Sequence, residues 1–308
     1  MPEPKFDVIV CGSLHLDIMV HAPRLPRLDE TAVGQSWGLA CGGKGGNQAV
    51  QAARLGARTA MIGRVGADDF GRRLCAHLDQ AGVDRTGVLV DAGAGSGMSV
   101  AIVEADGGYG AVIVSGANLA TAPESLAETW RGLGGARVLV LQNEVPHGVN
   151  VAAARLAKQA GATVVLNAAP ARARGDDLLA LVDMLVVNKV EAAMMAGIEV
   201  RDGRDAVAAL PALGAGRGAV VVTLGGGGLV LAAHGREPVE IEAVPVTVAS
   251  THGAGDCFVG ALAARLAAGA DLLAACRHAN ARASEFVAGD PGARTAATHS
   301  HLKGTPQF

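Results

Sequence analysis

Aromatic side chains are scarce in this sequence: two Trp, one Tyr and five Phe occur among 308 residues. Half of the residues are nevertheless hydrophobic, so a substantial core can form, built mainly from Ala, Val and Leu. A chain of this length is sufficient for one large α/β domain or for two smaller ones.

Excess positive charge, paired cysteines and long apolar runs are also missing. The formal net charge is −3 and no basic stripe occurs, which argues against a nucleic-acid partner. The five cysteines are dispersed without a CxxC spacing, as in proteins of a reducing cytosol. Polar residues or glycine interrupt every apolar run before bilayer-spanning length, and "MPEPKFDVIVCGS" lacks the basic leader of a signal peptide. We therefore expect a soluble, cytoplasmic protein with no membrane partner.

Glycine is abundant, with 43 residues, and much of it separates apolar runs. Runs such as "FDVIVCGS" and "ARVLVLQNE" are typical of buried strands, and "DFGRRLCAHLDQAGV" is typical of an amphipathic helix. Because such strands and helices alternate, the sequence predicts an α/β fold with a mainly parallel sheet flanked by helices. Folds of this class bind ligands beyond the carboxyl ends of their strands.

Two stretches break this alternation. Residues 13–42 contain prolines and show no helical periodicity, and residues 97–115 are typical of a hairpin around Asp106, Gly107 and Gly108. Together they predict a small, separate β-sheet that forms a lid over the large domain.

The stretch "GAGD", from Gly253 to Asp256, precedes an apolar helix. One interpretation is a glycine turn whose acid is stabilised by the positive end of the helix dipole. The other is a cradle in which unpaired N–H groups at the helix start bind an anion, with Asp256 as a base beside it.

The stretch "NKVE", from Asn188 to Glu191, follows the strand "MLVV". An amide and a carboxylate at a strand end can hold Mg²⁺ through water. The same spacing also predicts a capping box, and the residues alone favour that structural interpretation.

The block "GGKGGNQA", residues 42–49, is not a P-loop because the GxxxxGK[ST] spacing is absent. Lys44 and Asn47 are suited to donate hydrogen bonds to a polyol, and the glycines suggest a close backbone approach. The alternative is a glycine turn with a solvated Lys44 and a helix cap at Asn47.

Polar residues at two other places are candidates for ligand contact. His15 and Asp17 lie two residues apart in "GSLHLD", hence on one face of a strand, and the alternative is an exposed edge strand. Glu144 follows "RVLVLQN" and is either a ligand contact or a solvated strand end.

The glycine loop "TLGGGG", from Thr223 to Gly228, is suited to bind a nucleotide through its backbone. No GxGxxG follows the first strand, so a Rossmann dinucleotide site is not supported. Zinc-ligand spacing and a GxSxG elbow are also absent.

Taken together, these blocks resemble the PfkB carbohydrate kinase family, most closely its ribokinase members, over nearly the whole chain. The blocks that carry the resemblance, in family order, are "GSLHLD", "GGKGGNQAV", "GRVGADDFG", "SGAN", "NAAPAR", "NKVE", "TLGGGG" and "STHGAGDCFVGAL". The resemblance implies one ribokinase-like domain over residues 1–308. It also implies a β-lid, formed by residues 13–42 and 97–115, that often clasps a homodimer.

The family's site residues carry over by position. The resemblance implies Asp256 as catalytic base, with the backbone of Gly253, Ala254 and Gly255 as anion hole. Asn188 and Glu191 would organise Mg²⁺ through water. The implied sugar-contacting positions are His15, Asp17, Gly43, Lys44, Asn47, Glu144 and Asp256. The implied nucleotide-contacting positions are Asn188, Thr223, Gly225, Gly226, Gly228, Gly255 and Asn280.

Two positions depart from the ribokinase pattern. His15 stands where ribokinases usually carry a sugar-contacting Asn. Ser250 stands where an Asp usually helps to bind K⁺, so K⁺ would rely on this hydroxyl and on the carbonyl groups of Ser250 and His252. The C-terminal stretch 293–308 matches the family poorly.

The resemblance implies ATP-dependent phosphorylation of a sugar hydroxyl, with ribose or a related pentose converted to the sugar 5-phosphate. Alternatives on the same fold are a kinase for a nucleoside, a ketohexose or a sugar acid. A nucleoside needs a flat apolar slot, for which the lid offers Trp37 and Tyr109 as its aromatic residues. An alternative of another class is a non-catalytic sugar-binding regulator, which the retained Asp256 and Glu191 disfavour.

Overall fold

The structure is a computed structural model that describes residues 3–104, 108–172, 175–214 and 218–289. Asp106 and Gly107 of the predicted hairpin, and the stretch 293–308, lie outside the described residues. The strands are β1 Phe6–Cys11, β2 His15–Ala22, β3 Ser36–Gly42, β4 Thr59–Gly66, β5 Asp84–Asp91, β6 Gly97–Glu104, β7 Tyr109–Val114, β8 Ala136–Gln142, β9 Thr163–Asn167, β10 Met184–Asn188, β11 Ala219–Thr223, β12 Leu229–Ala232 and β13 Val239–Ile241. The α-helices are α1 Lys44–Arg54, α2 Asp69–Gln80, α3 Leu126–Leu133, α4 His147–Gln159, α5 Asp176–Leu179, α6 Lys189–Ala196, α7 Gly203–Leu213, α8 Ala254–Ala267 and α9 Leu272–Val287.

The larger sheet has the strand order β13-β12-β11-β10-β9-β8-β1-β4-β5. Neighbours from β11 to β5 pair in parallel, whereas β12 and β13 extend one edge with antiparallel pairs. The predicted, mainly parallel sheet is confirmed. Strand β1 lies between β8 and β4, so the chain builds the sheet outwards from β1 in both directions. Ligands in open sheets bind at such a switch point, beyond the carboxyl ends of the strands.

Alternate residues of β1 face two apolar layers, as expected for a strand buried on both sides. Ile9 packs into the layer formed with α3, α4, α6 and α7. Val8 and Val10 pack into the layer formed with α1, α2, α8 and α9. Each fully buried Val or Leu contributes about 1.5–3 kcal/mol, so aliphatic side chains stabilise both layers despite the few aromatic residues.

The smaller sheet has the strand order β3-β2-β6-β7. Its strands fall within residues 13–42 and 97–115, and the predicted separate sheet is confirmed. Strand β2 pairs with β3 on one side and with β6 on the other. The alternative of an exposed edge strand for His15 and Asp17 is therefore wrong, and His15 is only 4 % exposed. That this sheet works as a lid stays a prediction.

The glycines of "GGKGG" let the start of α1 pack directly on the chain that leaves β1. A Cβ on Gly45 would lie 2.7 Å from the backbone nitrogen of Ser13, and Gly43 has a φ of +85°. The close approach inferred from these glycines is thus made to the protein's own backbone. Helix α1 begins at Lys44, with Gly43 as its N-cap, so the alternative of a cap at Asn47 is wrong.

A further glycine brings α8 against α1. A Cβ on Gly260 would lie 2.7 Å from the carbonyl oxygen of Gln48, so only a residue without a side chain allows this approach. The starts of the two helices therefore meet at the carboxyl edge of the larger sheet. Within the described ranges, no helix combines the length and the apolar character that a membrane crossing requires.

Candidate active site

Asp256 lies in the first turn of α8, after an N-cap at Gly253 with a φ of +81°. Its carboxylate accepts a hydrogen bond from Asn47 Nδ2 to Oδ2 and another from Gln48 Nε2 to Oδ1, each at 2.9 Å. Burial raises the pKa of Asp256, whereas the charge of Lys44 and the two amide donors oppose this rise. The group is thus a buried carboxylate whose ionised form is supported by specific contacts.

Backbone donors surround this carboxylate at the helix start. The N–H of Ala254 donates to the carbonyl oxygen of Thr251 at 3.2 Å. Within the described part of the chain, no acceptor faces the N–H groups of Gly255 and Asp256. Unpaired N–H groups in a first helical turn, together with the helix dipole, suit an anion. Of the predicted anion-hole residues, Ala254 therefore already donates its N–H within the protein, and anion binding by Gly253 and Gly255 stays a prediction.

A cavity of about 180 Å³ lies in front of these groups, at the carboxyl ends of β9, β10 and β11. Its lining includes Lys44, Asn188, Glu191, Thr223, Gly255 and Asp256. Residues from four separate sequence blocks therefore meet in one cavity, at the edge of the sheet where the fold class places its ligands.

Asn188 and Glu191 form the capping box that their spacing predicts. Asn188 Oδ1 accepts from the N–H of Glu191 at 2.9 Å, and Glu191 Oε2 accepts from the N–H of Asn188 at 2.8 Å. Burial raises the pKa of Glu191, which the N–H of Asn188 and the charge of Lys44 oppose. Glu191 lines the cavity, and its other oxygen, Oε1, is not part of the capping box.

The donor set is compatible with a hydrated Mg²⁺. No group of three or more His, Cys, Asp or Glu side chains that could hold a metal occurs among the described residues. Mg²⁺ commonly keeps several waters and binds through one or two carboxylates together with substrate phosphates. Glu191, with Asn188 beside it, fits that pattern better than it fits a cage made of protein ligands alone.

A second cluster of charged and polar groups adjoins Asp256 and consists of His15, Asp17 and Glu144. Glu144 Oε2 accepts from the N–H of Lys44 at 2.9 Å and from the hydroxyl of Ser13. His15 Nδ1 lies 3.9 Å from the same oxygen. We refer to His15, Asp17 and Glu144 as the carboxylate cluster.

Within the carboxylate cluster, His15 is buried and Asp17 is partly buried. Asp17 accepts a hydrogen bond from the hydroxyl of Ser99, and burial raises the pKa of Asp17 in opposition to that bond. Within the described residues, Nε2 of His15 has no hydrogen-bond partner. A buried polar atom without a partner costs about 1–3 kcal/mol, and a sugar hydroxyl as the partner of this nitrogen stays a prediction.

The predicted nucleotide residues are only partly brought together. Thr223 lines the cavity. A Cβ on Gly228 would lie 2.0 Å from the carbonyl oxygen of Ile241, whereas one on Gly226 would meet no atom within 4 Å. Asn280 donates from Nδ2 to the carbonyl oxygen of Glu242 at 2.7 Å, and so it holds the segment after β13. The nucleotide contacts of Gly225, Gly226, Gly228 and Asn280 stay predictions.

The predicted monovalent-cation residues lie in the turn before α8. The hydroxyl of Ser250 accepts from the N–H of His252 at 3.3 Å, and His252 is exposed. The hydroxyl thus has a local structural role, which gives the K⁺ site no separate support.

Sequence reasoning missed a set of buried amides behind Asp256, which are Gln48, Gln142, Asn150 and Asn167. The available signal was the position of Gln48 in "NQAVQAA", directly before the apolar residues Ala49 and Val50 at the start of a helix, where a buried polar side chain needs a partner.

A parallel α/β sheet with a buried carboxylate, free helix-start N–H groups and a polar cavity at its carboxyl edge defines an enzyme of the phosphotransferase type. The chain belongs to the pfkB family of carbohydrate kinases, whose family model matches residues 5–299.

Relatives with known structure or name agree in length and fold. The chain is 36 % identical to ribokinase of Mus musculus over 268 residues, covering 86 % of this chain and 83 % of the relative. It is 34 % identical to ribokinase of Haemophilus influenzae over 252 residues, with 82 % of each chain covered. The solved structure of Arabidopsis thaliana ribokinase with ribose and ATP matches with a TM-score of 0.85 and 30 % identity, covering 93 % of each chain.

Proposed function

We propose that the protein transfers the γ-phosphoryl group of ATP to a hydroxyl of ribose or a related pentose, which yields the sugar 5-phosphate. The observation that carries this proposal is the position of Asp256. Its carboxylate lines the cavity together with Glu191 and Gly255, and Asn47 ties it to the helix that also contacts the carboxylate cluster. The similarity to ribokinases supports the choice of sugar.

In the proposed mechanism, Asp256 accepts the proton of the sugar hydroxyl as that oxygen attacks the γ-phosphorus. The bond from phosphorus to the β,γ-bridging oxygen breaks, and ADP leaves with the electron pair. Phosphoryl transfer depends mainly on positioning and charge stabilisation. The N–H groups of Gly255 and Asp256, with the charge of Lys44 nearby, supply that stabilisation in a preorganised form.

ATP would extend from this corner towards Thr223, Gly225, Gly226, Gly228 and Asn280. Asn188 and Glu191 would hold a Mg²⁺ ion through water, and that ion supplies neutralisation of phosphate charge when bound. Because aliphatic residues and glycine predominate at this edge, backbone groups would make most of the contacts with the nucleotide.

The sugar would lie against the carboxylate cluster. His15, Asp17 and Glu144 present a ring nitrogen and two carboxylates, which suit several hydroxyl groups, while Gly43, Lys44 and Asn47 complete this side. A smaller sheet that closes over the sugar would exclude water, which otherwise competes as acceptor.

Three finer features belong to the same proposal. We infer that the smaller sheet clasps a homodimer, because residues 112–114 of β7 are apolar and exposed. We infer that the protein is located in a reducing cytoplasm, because all five cysteines are free. K⁺ activation is proposed only as a weak effect, because a neutral Ser250 replaces the usual carboxylate.

The test is an ADP-release assay with ATP and Mg²⁺ over pentoses, 2-deoxyribose, hexoses, sugar acids and nucleosides, each with and without K⁺. We expect the highest kcat/KM with a pentose. Asp256→Asn should lower turnover by at least ~10²-fold, as for loss of a general base, with ATP affinity little changed.

A higher kcat/KM with a ketohexose, a sugar acid or a nucleoside would replace the proposed acceptor. Sugar binding without ADP release from any acceptor would instead identify a regulator. Near-normal turnover of Asp256→Asn would exclude the assigned base.

A further inference from the structure

Four buried amide residues belong to one hydrogen-bonded network that reaches Asp256, and the side chains of Gln142 and Gln48 form its direct link to the carboxylate. Asn150 Nδ2 donates to the backbone oxygen of Gln142 at 2.7 Å, and Gln142 Nε2 donates to Gln48 Oε1 at 2.8 Å. Gln48 Nε2 then donates to Asp256 Oδ1 at 2.9 Å and to Asn167 Oδ1 at 3.1 Å. Gln48, Gln142 and Asn150 are each 0 % exposed.

The carboxylate determines the direction of this network. An ionised carboxylate only accepts hydrogen bonds, so Gln48 must present its NH₂ group to Asp256. Its Oε1 then faces Gln142, which must donate in turn. Both N–H groups of Gln48 are used on the Asp256 side, one on the carboxylate and one on Asn167.

The fold provides specific space for this network. A Cβ on Gly12 would lie 1.8 Å from Gln142 Oε1, so the Gln142 side chain occupies the position that any side chain at residue 12 would take. Gly260 in turn lets α8 approach the backbone of Gln48, as described above. Gly12 therefore leaves room for the Gln142 side chain, and Gly260 allows α8 to approach Gln48.

We propose that Gln48 is a positioning residue for the catalytic base: held in one orientation by Gln142, it donates to Oδ1 of Asp256 and keeps that carboxylate ionised and aligned. This inference rests on the proposed function, in which Asp256 takes the proton of the sugar hydroxyl. Asn47 contacts the other oxygen, Oδ2, on the side from which the sugar would approach.

The charged groups around Asp256 set the sign of the expected pH effect. Lys44 on α1 favours the ionised form, whereas Glu144 after β8 opposes it, and Glu191 on α6 interacts with Asp256 as a like charge. All of these remain when only residue 48 is changed. Burial already raises the pKa of Asp256, so loss of a donor to the ionised form raises it further.

The experiment compares kcat and kcat/KM as functions of pH for the wild-type protein and for Gln48→Met, with ribose as acceptor. Methionine retains the length of glutamine and removes the donor without adding charge. Because the base must be ionised, activity falls as the pH drops through the pKa of Asp256. We expect the acidic limb of Gln48→Met to move to higher pH, with kcat lowered ~10- to 100-fold by misalignment and the KM for ATP nearly unchanged.

Gln51→Met is the matched control, since Gln51 is a second buried glutamine on the same helix, 5 % exposed. We expect its acidic limb to coincide with that of the wild type. If folded Gln48→Met has the same acidic limb of its pH profile and the same kcat as the wild type, the proposal is overturned. If the control moved the limb equally, the effect would be general to α1 and the proposal would also fail.

Should Gln48→Met fail to fold, Gln142→Met carries the test with Gln48 still in place and adds no charge. It removes the donor that holds Oε1 of Gln48, so the Gln48 amide loses its fixed orientation towards Asp256. We expect the same shift of the acidic limb to higher pH, and an unshifted limb would contradict the proposal. If the wild-type protein phosphorylates no acceptor, the proposed function itself fails. If the wild-type protein is active but the acidic limb of the variant does not shift, only the role of Gln48 fails.

Discussion

His15 is a predicted sugar-contacting residue that is buried at the start of β2. Its Nε2 is buried and has no partner within the described residues, and its Nδ1 lies 3.9 Å from Glu144. We predict that His15→Leu raises the KM for the sugar ~10-fold or more, because a ligand hydrogen bond of about 1–3 kcal/mol is lost. Steady-state kinetics with the preferred sugar would measure this.

His15→Leu should not destabilise the protein in the absence of sugar. Removing a buried nitrogen without a partner is expected to leave the free energy of unfolding unchanged or higher in the absence of sugar, as measured by chemical denaturation. An unchanged KM for every sugar would show that His15 does not face the acceptor.

At the scale of elements, the capping box of α6 combines a structural and a proposed catalytic role. Glu191→Gln retains an oxygen that can accept from the N–H of Asn188, but it removes the charge. We predict that Glu191→Gln lowers kcat and raises the Mg²⁺ concentration needed for half-maximal activity, while the free energy of unfolding changes little. Mg²⁺ titration of ADP release, together with denaturation, checks both parts.

Glu191→Ala is the matched comparison because it removes the reciprocal hydrogen bond of the capping box as well as the charge, while Asn188 still accepts from the N–H of residue 191. We expect it to lower the free energy of unfolding by about 0.5–1.5 kcal/mol in addition to the kinetic defect. Equal Mg²⁺ dependence of the wild type and Glu191→Gln would leave residue 191 with the capping role alone.

The approach of α8 to α1 should be sensitive to a single methyl group. In Gly260→Ala the new Cβ would lie 2.7 Å from the carbonyl oxygen of Gln48 and from the Cβ of Gln51. Since backbone must move to relieve this overlap, we predict a loss of about 1–3 kcal/mol in the free energy of unfolding and reduced turnover, because Asp256 and Gln48 lie across the same contact.

Gly132→Ala on α3 is the control, since its Cβ would meet no atom within 4 Å. This change should stabilise the protein by about 0.5–1 kcal/mol through helix propensity. Urea denaturation of both variants checks the pair. Equal effects at the two positions would contradict close helix packing at residue 260.

The sequence predicted those elements whose local pattern decides their structure. Strands β1 and β8 each carry a run of four buried apolar residues, and they pair in parallel. Strand β5, "DRTGVLVD", carries no comparable signal because it is an edge strand with exposed polar residues. Helix α7 contains Pro211, which normally ends a helix before it.

In the site, too, the predictable residues lie in short sequence motifs, and the others meet only through the fold. Asp256 and the capping box could be predicted because each lies in a short motif whose geometry is local. Gln48 and Asp256 are 208 residues apart in sequence, and Gln142 meets Gln48 across 94 residues. Only the packing of α1 on α8 and on the end of β8 brings these amides together, so no single stretch could predict them.

At the scale of the whole molecule, the smaller sheet presents an apolar edge to solvent. Val112, Ile113 and Val114 of β7 are 67 %, 62 % and 51 % exposed. Consecutive exposed residues on an edge strand leave both side-chain faces and the backbone hydrogen-bonding groups available for another chain. A second copy of this chain, whose smaller sheet presents the same edge, would cover that surface by symmetric contact.

We therefore predict a homodimer that depends on β7. In Val112→Lys with Val114→Lys, two charges on one face of the strand would have to be buried without partners, so the dimer should dissociate to monomers. Sedimentation velocity over a range of protein concentrations measures this.

Val90→Lys is the control variant, because Val90 is an exposed valine on β5 at the edge of the larger sheet. This variant should remain dimeric. A wild-type protein that stays monomeric at the highest concentration would exclude the clasp, and a monomeric Val90→Lys would place the interface at β5. If the smaller sheet closes over the sugar only when paired, the monomeric double variant should also show a raised KM for the sugar at an unchanged KM for ATP.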